Sequence, residues 1–319
     1  MRVRWQRYEG PTWIVALLIY SGWFVVALLH RQLAPWIAVP LAIYLTAWHS
    51  SFQHETIHAM RRVPRRVRTL IASPPLGIWF PYELYRREHL RHHAVRELTG
   101  PADPESFYVE PEAWSAMPSA LGALYLANQT LAGRLLIGPA LVVGRAYVRE
   151  LRLICAGDTA HALLWIRHLA ASACVLWFLD AVTGVAPVMY LVVIAYPAAS
   201  LSLLRSFVEH RAAENPADRT ATVVSRSALS LLFLNNNFHA THHERPTLPW
   251  YEIPAYWHAR QSARPRQGVT YAGGYRQIAR SWLWRPFDRL VRTAASGARF
   301  DPNADAACGT PAAEQLTAR

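Results

Sequence analysis

The chain has 319 residues, 52% of them hydrophobic and only 17% charged, with a formal net charge of +12. Soluble domains carry about a quarter charged residues. Here the apolar residues gather into long runs, which argues against an ordinary water-soluble globule and points to a bilayer. The positive charge, carried by arginine, reads as anchoring to anionic lipid rather than nucleic-acid binding, since no basic helix is free of apolar residues.

The first apolar run, Thr12 to Leu29, is long enough to cross a hydrocarbon core, which takes about 20 residues. Arg2, Arg4 and Arg7 precede it. It lacks the short apolar core and small-residue cleavage site of a signal peptide, so it reads as a retained span with its N-terminus in the cytoplasm. The turn HRQLAP leads to a second span over 35–53, with a possible kink at Pro40, which becomes polar at His49. RRVPRRVR, Arg61 to Arg68, marks the cytoplasmic side. Residues 69–160 are mixed. LIASPPLGIWFPY, broken by three prolines, reads as interfacial or re-entrant, and 120–143 as an amphipathic interfacial helix. Spans three and four cover 163–182 and 185–204, joined by a short arginine-free connection on the outer side. The chain is polar and arginine-rich after Arg205, and 294–319 lacks periodicity and reads as disordered. The expected fold class is all-α integral membrane, with about four transmembrane helices and a helical cytoplasmic cap. One domain, 1–293, holds both, and both termini lie in the cytoplasm. Cys155, Cys174 and Cys308 are too far apart to suggest a disulfide framework or a metal pair.

Fourteen histidines are present, and nine fall into a pattern. His54 and His58 form HxxxH. His89, His92 and His93 form HxxHH, and so do His239, His242 and His243. His210 stands in SFVEHRA, just past the fourth span. On a helix, positions i, i+3 and i+4 share a face, so each HxxHH is expected to point three imidazoles at one place. Neutral imidazole ligates iron, zinc, copper or nickel. Eight or nine exceed the four that saturate a structural site and suffice for two metals with positions left open. The arginine-derived orientation puts all nine on the cytoplasmic side, as one centre requires. Read alone, HETIH at 54–58 is the zinc-peptidase signature HExxH, with Glu55 activating a water, but that reading leaves the other histidines unexplained. His30 falls on the outer side. His161, His168 and His258 lack box partners and read as interfacial.

The three boxes, HETIH, EHLRHH and NNNFHATHH, with the spans around them, resemble the membrane fatty-acid desaturase/hydroxylase family over roughly residues 10–260. The resemblance implies a non-haem diiron centre with two iron ions, O2 as co-substrate, and a lipid or acyl-chain substrate. It assigns His54, His58, His89, His92, His93, His210, His239, His242 and His243 as metal ligands, with no catalytic residues apart from them. An acidic residue such as Glu55 is common in the family's first box. An asparagine near the site can hold a metal-bound water, which places Asn235, Asn236 and Asn237 under consideration; capping of the preceding apolar helix is an equal reading. His49 could pair with His54 as HxxxxH, but five residues put two side chains about 140° apart on a helix. His49 is therefore expected to support the ligands or substitute for one, and Glu55, Asn235 and Asn236 to orient the site.

An unactivated alkyl C–H bond is beyond side-chain acids and bases, so the metals must carry the chemistry. Loss of two hydrogens gives an alkene and return of a hydroxyl gives an alcohol. The sequence leaves both open, and the resemblance tips the expectation toward desaturation. No haem-binding extension, dinucleotide turn or iron–sulfur cysteine set is found, so an external electron donor, ferredoxin-like or a small haem protein, is expected as partner. The acidic stretch GPADPESFYVEP, 100–111, reads as a surface loop, with ordering of a ligand as its alternative. HERPTLPWYEIP, 243–254, is a candidate cover for the site. A zinc membrane peptidase and a non-enzymatic metal carrier remain as other classes.

Overall fold

The structure is a computed structural model that describes residues 8–95, 98–215, 218–261 and 268–292. The proposed disordered tail, the arginines before residue 8 and Cys308 lie outside those residues. Helices α1 (Gly10–Leu29) and α2 (Pro35–His58) form a hairpin. Pro35 sits at the start of α2, where its missing N–H costs nothing, and Pro40 lies inside the helix without ending it. Helix α1 buries Val15, Ile19 and Trp23, four residues apart, and leaves Leu17, Leu18, Phe24 and Leu28 exposed. A helix apolar all round suits lipid, not water.

After α2 come α3 (Arg65–Ala72) and α4 (Tyr82–Ala94). Between them, 73–81 is irregular, as the prolines predict, and it enters the bundle of spans. The carbonyls on and beside it are taken up by side chains. Tyr20 donates to Ile71 O, Gln53 to Ala72 O at 2.8 Å, Tyr190 to Leu76 O at 2.7 Å, His168 to Ile78 O at 2.7 Å and Tyr147 to Trp79 O at 3.0 Å. Irregular backbone at membrane depth requires this kind of satisfaction by protein groups.

The single interfacial helix expected over 120–143 is instead three. α5 (Pro111–Ser115) is followed by α6 (Ser119–Ala127), α7 (Leu131–Leu136) and α8 (Gly138–Cys155). Thr130 starts α7 by accepting the Gly133 N–H at 3.0 Å, a side-chain cap. The chain folds back so closely that a Cβ on Gly133 would lie 1.9 Å from Ala127 O. Apolar composition hides this break, whereas the Asn-Gln-Thr cap sequence and the glycine impose it.

Helix α9 (Thr159–Trp177) is capped by Asp158, which accepts from the backbone N–H of Ala160 and His161. It continues as a wide i to i+5 turn to Thr183. Helix α10 (Pro187–Ser206) contains a similar wide turn over Tyr190–Ala195. Pro197 follows; it offers no N–H to the turn before it, which widens the ladder. Among the described residues three helices are long and apolar enough to cross a membrane: Gly10–Leu29, Thr159–Thr183 and Pro187–Ser206. The predicted span over 35–53 lies in α2, whose last fourteen residues are almost wholly buried in protein and rich in polar groups.

The remainder adds α11 (Ala228–Leu232), α12 (His239–Glu244), α13 (Ile253–Gln261) and α14 (Gly274–Trp282). It also forms a short parallel sheet that an all-α expectation omits, β1 (Ala221–Val223) paired with β2 (Val269–Tyr271). One continuous apolar core runs from Ile19, Trp23 and Phe52 through Phe207 and Val208 to Leu232, Ile278 and Phe287. The apolar helices and the histidine-bearing segments therefore share a core.

Candidate metal centre

The first box ends α2, the second lies on α4 and the third forms α12. His210 sits in an isolated antiparallel bridge with Thr220. Strand β1 fixes the last two relative to each other. Ala221 N donates to Glu209 O at 3.0 Å, and Val223 N to Asn237 O at 2.7 Å.

All nine boxed or associated imidazoles converge, in two groups. His54, His58, His89, His93 and His242 form one, and His92, His210, His239 and His243 the other. Within each group the ligand nitrogens lie within 4.8 Å of one another, and each group could hold a metal ion. The His93 and His243 rings stack across the two groups, with centroids 4.4 Å apart.

Each HxxHH box feeds both groups, which corrects the expectation of three rings aimed at one place. His89 and His93 join the first group while His92 joins the second. In the third box His239 and His243 join the second group while His242 joins the first. Positions i and i+4 lie about 40° apart around a helix, but i+3 and i+4 lie about 100° apart. Adjacent histidines therefore straddle two neighbouring points.

In the second group the Nε2 atoms close a ring. His92 and His210 are 3.1 Å apart, His210 and His239 3.0 Å, His239 and His243 3.0 Å, and His243 and His92 3.3 Å. Nitrogens bound at about 2.1 Å to a common ion lie about 3.0–3.4 Å from one another. The outer nitrogens face acceptors: His92 Nδ1 is 2.9 Å from Asp103, His210 Nδ1 3.3 Å from Arg219 O and His239 Nδ1 3.4 Å from Asn236 Oδ1, with the Glu209 carboxylate 3.2 Å away. A proton on Nδ1 leaves a lone pair on Nε2, so these acceptors aim lone pairs at one centre. In the first group His89 Nδ1 contacts Glu105 at 2.7 Å. Buried His54 Nε2 and His58 Nε2 have no hydrogen-bond partner at all. Converging lone pairs and orphaned buried nitrogens fit a cation and fit little else.

The charges agree. Burial pulls the His93 and His210 imidazoles down to about 3 and holds His239, His242 and His243 well below their usual value, with neighbouring rings adding to the effect. These rings are neutral, the form that ligates. Burial also lowers His92, but Glu105 and the Asp103 hydrogen bond outweigh it and lift the ring to about 9.

Other candidates fall elsewhere. His49 Nε2 lies 3.0 Å from the Tyr20 hydroxyl and His49 belongs to neither group. Because that hydroxyl also donates to Ile71 O, His49 is linked through Tyr20 to the last turn of α3. Glu55 accepts the Trp250 N–H at 3.0 Å, and Asn235 donates to Trp250 O at 3.0 Å. The two clamp one residue of the 243–254 segment beside His54. Asn236 Oδ1 lies 3.4 Å from His239 Nδ1 and its Nδ2 is buried without a partner. Asn237 donates to Val223 O at 2.7 Å, so neither of these side chains caps the preceding helix. His161 pairs with Glu150 at 2.8 Å, while His258 is exposed.

Asp103, Glu105 and Glu209 were not singled out individually by sequence. The signals were present in the acid-rich 100–111 and in the glutamate next to His210. Choosing these acids from other surface acids required the distances. The fatty acid desaturase family model matches residues 31–275. No curated protein matches the chain.

Proposed function

The chain belongs to the fatty acid desaturase family, and from that premise we propose that it is a membrane-bound, O2-dependent diiron lipid oxidase, a fatty acyl desaturase drawing electrons from an external donor. The observation that carries this reading is the convergence of nine imidazoles into groups of five and four. Such a set exceeds a zinc peptidase's needs, and Glu55 is occupied by the Trp250 N–H instead of facing a water.

When bound, a pair of iron ions with O2 supplies the oxidation of an unactivated C–H bond, which no side chain achieves. His54, His58, His89, His93 and His242 would hold one ion, and His92, His210, His239 and His243 the other. Asp103, Glu105 and Asn236 keep the protons of His92, His89 and His239 on the outer nitrogens and fix the rings against rotation, and the Glu209 carboxylate lies beside His239. Glu55 and Asn235 pin Trp250 over the end of α2, which keeps the cover closed on that side.

We read α2 as a fourth span and the histidine-bearing segments as a cytoplasmic cap. The exposed Arg61, Arg62, Arg65 and Arg66 beyond α2 support that orientation. The same cationic face suits an acidic, ferredoxin-like or small haem electron carrier.

Lipid mass spectrometry with and without expression tests the reaction. Loss of two hydrogens from a lipid marks desaturation, and gain of one oxygen marks hydroxylation. His92→Ala and His242→Ala, one from each group, are each expected to abolish the product. Wild-type product levels in both variants would end the assignment, as would purified protein that holds one zinc and no iron.

A further inference from the structure

Helix α7 carries a cation that the metal centre does not use. Arg134 is buried, with 6% of its surface exposed. Its guanidinium lies 4.1 Å from the Phe107 ring centre and 5.5 Å from that of Phe207. Among the described residues the only hydrogen bond it makes is from Nε to Asn128 O, at 3.3 Å. Among the described residues no carboxylate pairs with it. Burial pulls the Arg134 guanidinium down to about 9, as expected for a cation with no anion beside it.

A second group at the same place lacks partners. Asn128 is fully buried, and both its Nδ2 and its Oδ1 are without hydrogen bonds. A Cβ built on Gly138 would lie 3.0 Å from Arg134 Cδ and 3.1 Å from Asn128 Oδ1, so the carboxamide stands next to the arginine stem. Arg145 reaches the same Phe107 ring from outside, at 5.3 Å. Two guanidinium groups thus bracket one ring, and an unsatisfied carboxamide lies beside the inner one.

The location bears on the occupant. Phe107 is two residues from Glu105, which holds His89, and Phe207 is three residues from His210. Helix α7 packs on the C-terminal half of α10, where Tyr196 and Ser200 donate to Leu136 O and Leu135 O at 2.6 and 2.7 Å. The surface around it is apolar, with Leu121, Leu124, Leu126, Leu136 and Trp284 exposed. A ligand here meets a cation at one end and lipid-like surface at the other.

We infer that Arg134, with Asn128 and Arg145, forms a binding site for an oxyanion at the end of an acyl chain, either the carboxylate of a free fatty acid or the phosphate of a lipid. The guanidinium fork matches both groups in geometry. The choice of an acyl chain rests on the proposed lipid reaction, but binding is measured without turnover, so the two can fail separately.

The test uses the full-length, iron-loaded protein in a non-ionic maltoside detergent, which brings no oxyanion of its own. Palmitate, lysophosphatidate and 1-hexadecanol are titrated by displacement of a fluorescent fatty acid. Wild type is expected to bind at least one of the anions tenfold or more tighter than the alcohol, and the tighter anion identifies the source. Arg134→Gln is expected to lose that preference while hexadecanol affinity and iron content stay unchanged. Where the glutamine variant does not fold, Arg134→Lys is read instead, with a severalfold loss for the anion because an ammonium offers no fork. Equal binding of acids and alcohol by wild type overturns the inference. So does undiminished anion binding in a folded Arg134 variant.

Discussion

Asp103 and Glu105 belong to one short stretch yet serve different groups of imidazoles, through His92 and His89. The Glu105 N–H donates to Asp103 Oδ1 at 2.9 Å, so each acid is positioned partly by the other. Removing such an outer partner from a metal-ligating histidine costs about 10- to 100-fold in metal affinity. Asp103→Asn and Glu105→Gln are each expected to weaken iron binding by that order, measured by competition with a chelator. Asp103→Asn should act the more strongly, since its carboxylate is almost fully buried and water cannot replace it. Unchanged iron affinity in both variants would refute the positioning role.

At the scale of elements, the segment 73–81 shows how a loop is kept among apolar helices. The Tyr190 hydroxyl donates to Leu76 O and accepts from Trp23 Nε1 at 2.9 Å, so one atom joins α1, α10 and the segment. Tyr190→Phe leaves a buried acceptor and a buried donor unsatisfied at once. Each such group costs about 1–3 kcal/mol, and the thermal midpoint should fall by several degrees. A midpoint equal to wild type would mean that water or another group satisfies both. At Gly184, which joins α9 to α10, a φ of 77° favours glycine, since other residues rarely adopt that backbone.

Over the whole molecule, the metal-free protein is a core with neutral imidazoles packed into it. The sign of its pH dependence follows. In the unfolded chain a histidine protonates below about 6.5, while in the folded chain His93, His210, His239, His242 and His243 are held far lower by burial. Above that value the two states bind protons alike at these sites. As pH falls below it the unfolded state takes up protons that the folded state cannot, so stability drops. His92, raised to about 9, is protonated in both states below 6.5 and adds no slope there. Glu209, lifted to about 7 chiefly by burial, opposes the trend with a single proton. Chelated protein is therefore expected to melt at progressively lower temperature between pH 7 and pH 5, and iron should restore the midpoint at pH 7. A midpoint that rises on acidification would contradict the neutral-imidazole core.

The sequence by itself determined the nine imidazoles, the apolar runs that carry them and the break at 73–81. These follow from local chemistry: residue spacing on a helix, side-chain polarity and the missing N–H of proline act over one or two turns. Helix geometry separates adjacent imidazoles, but tertiary structure decided which group each joins, His92 the second and His242 the first. It also decided that His49 turns to Tyr20, and that Asp103, Glu105 and Glu209 are the acids behind the rings. Each of these depends on what another segment presents across the core. These contacts join residues beyond the reach of one helical turn, such as His89 with Glu105 and Tyr20 with His49, through packing that no local pattern encodes.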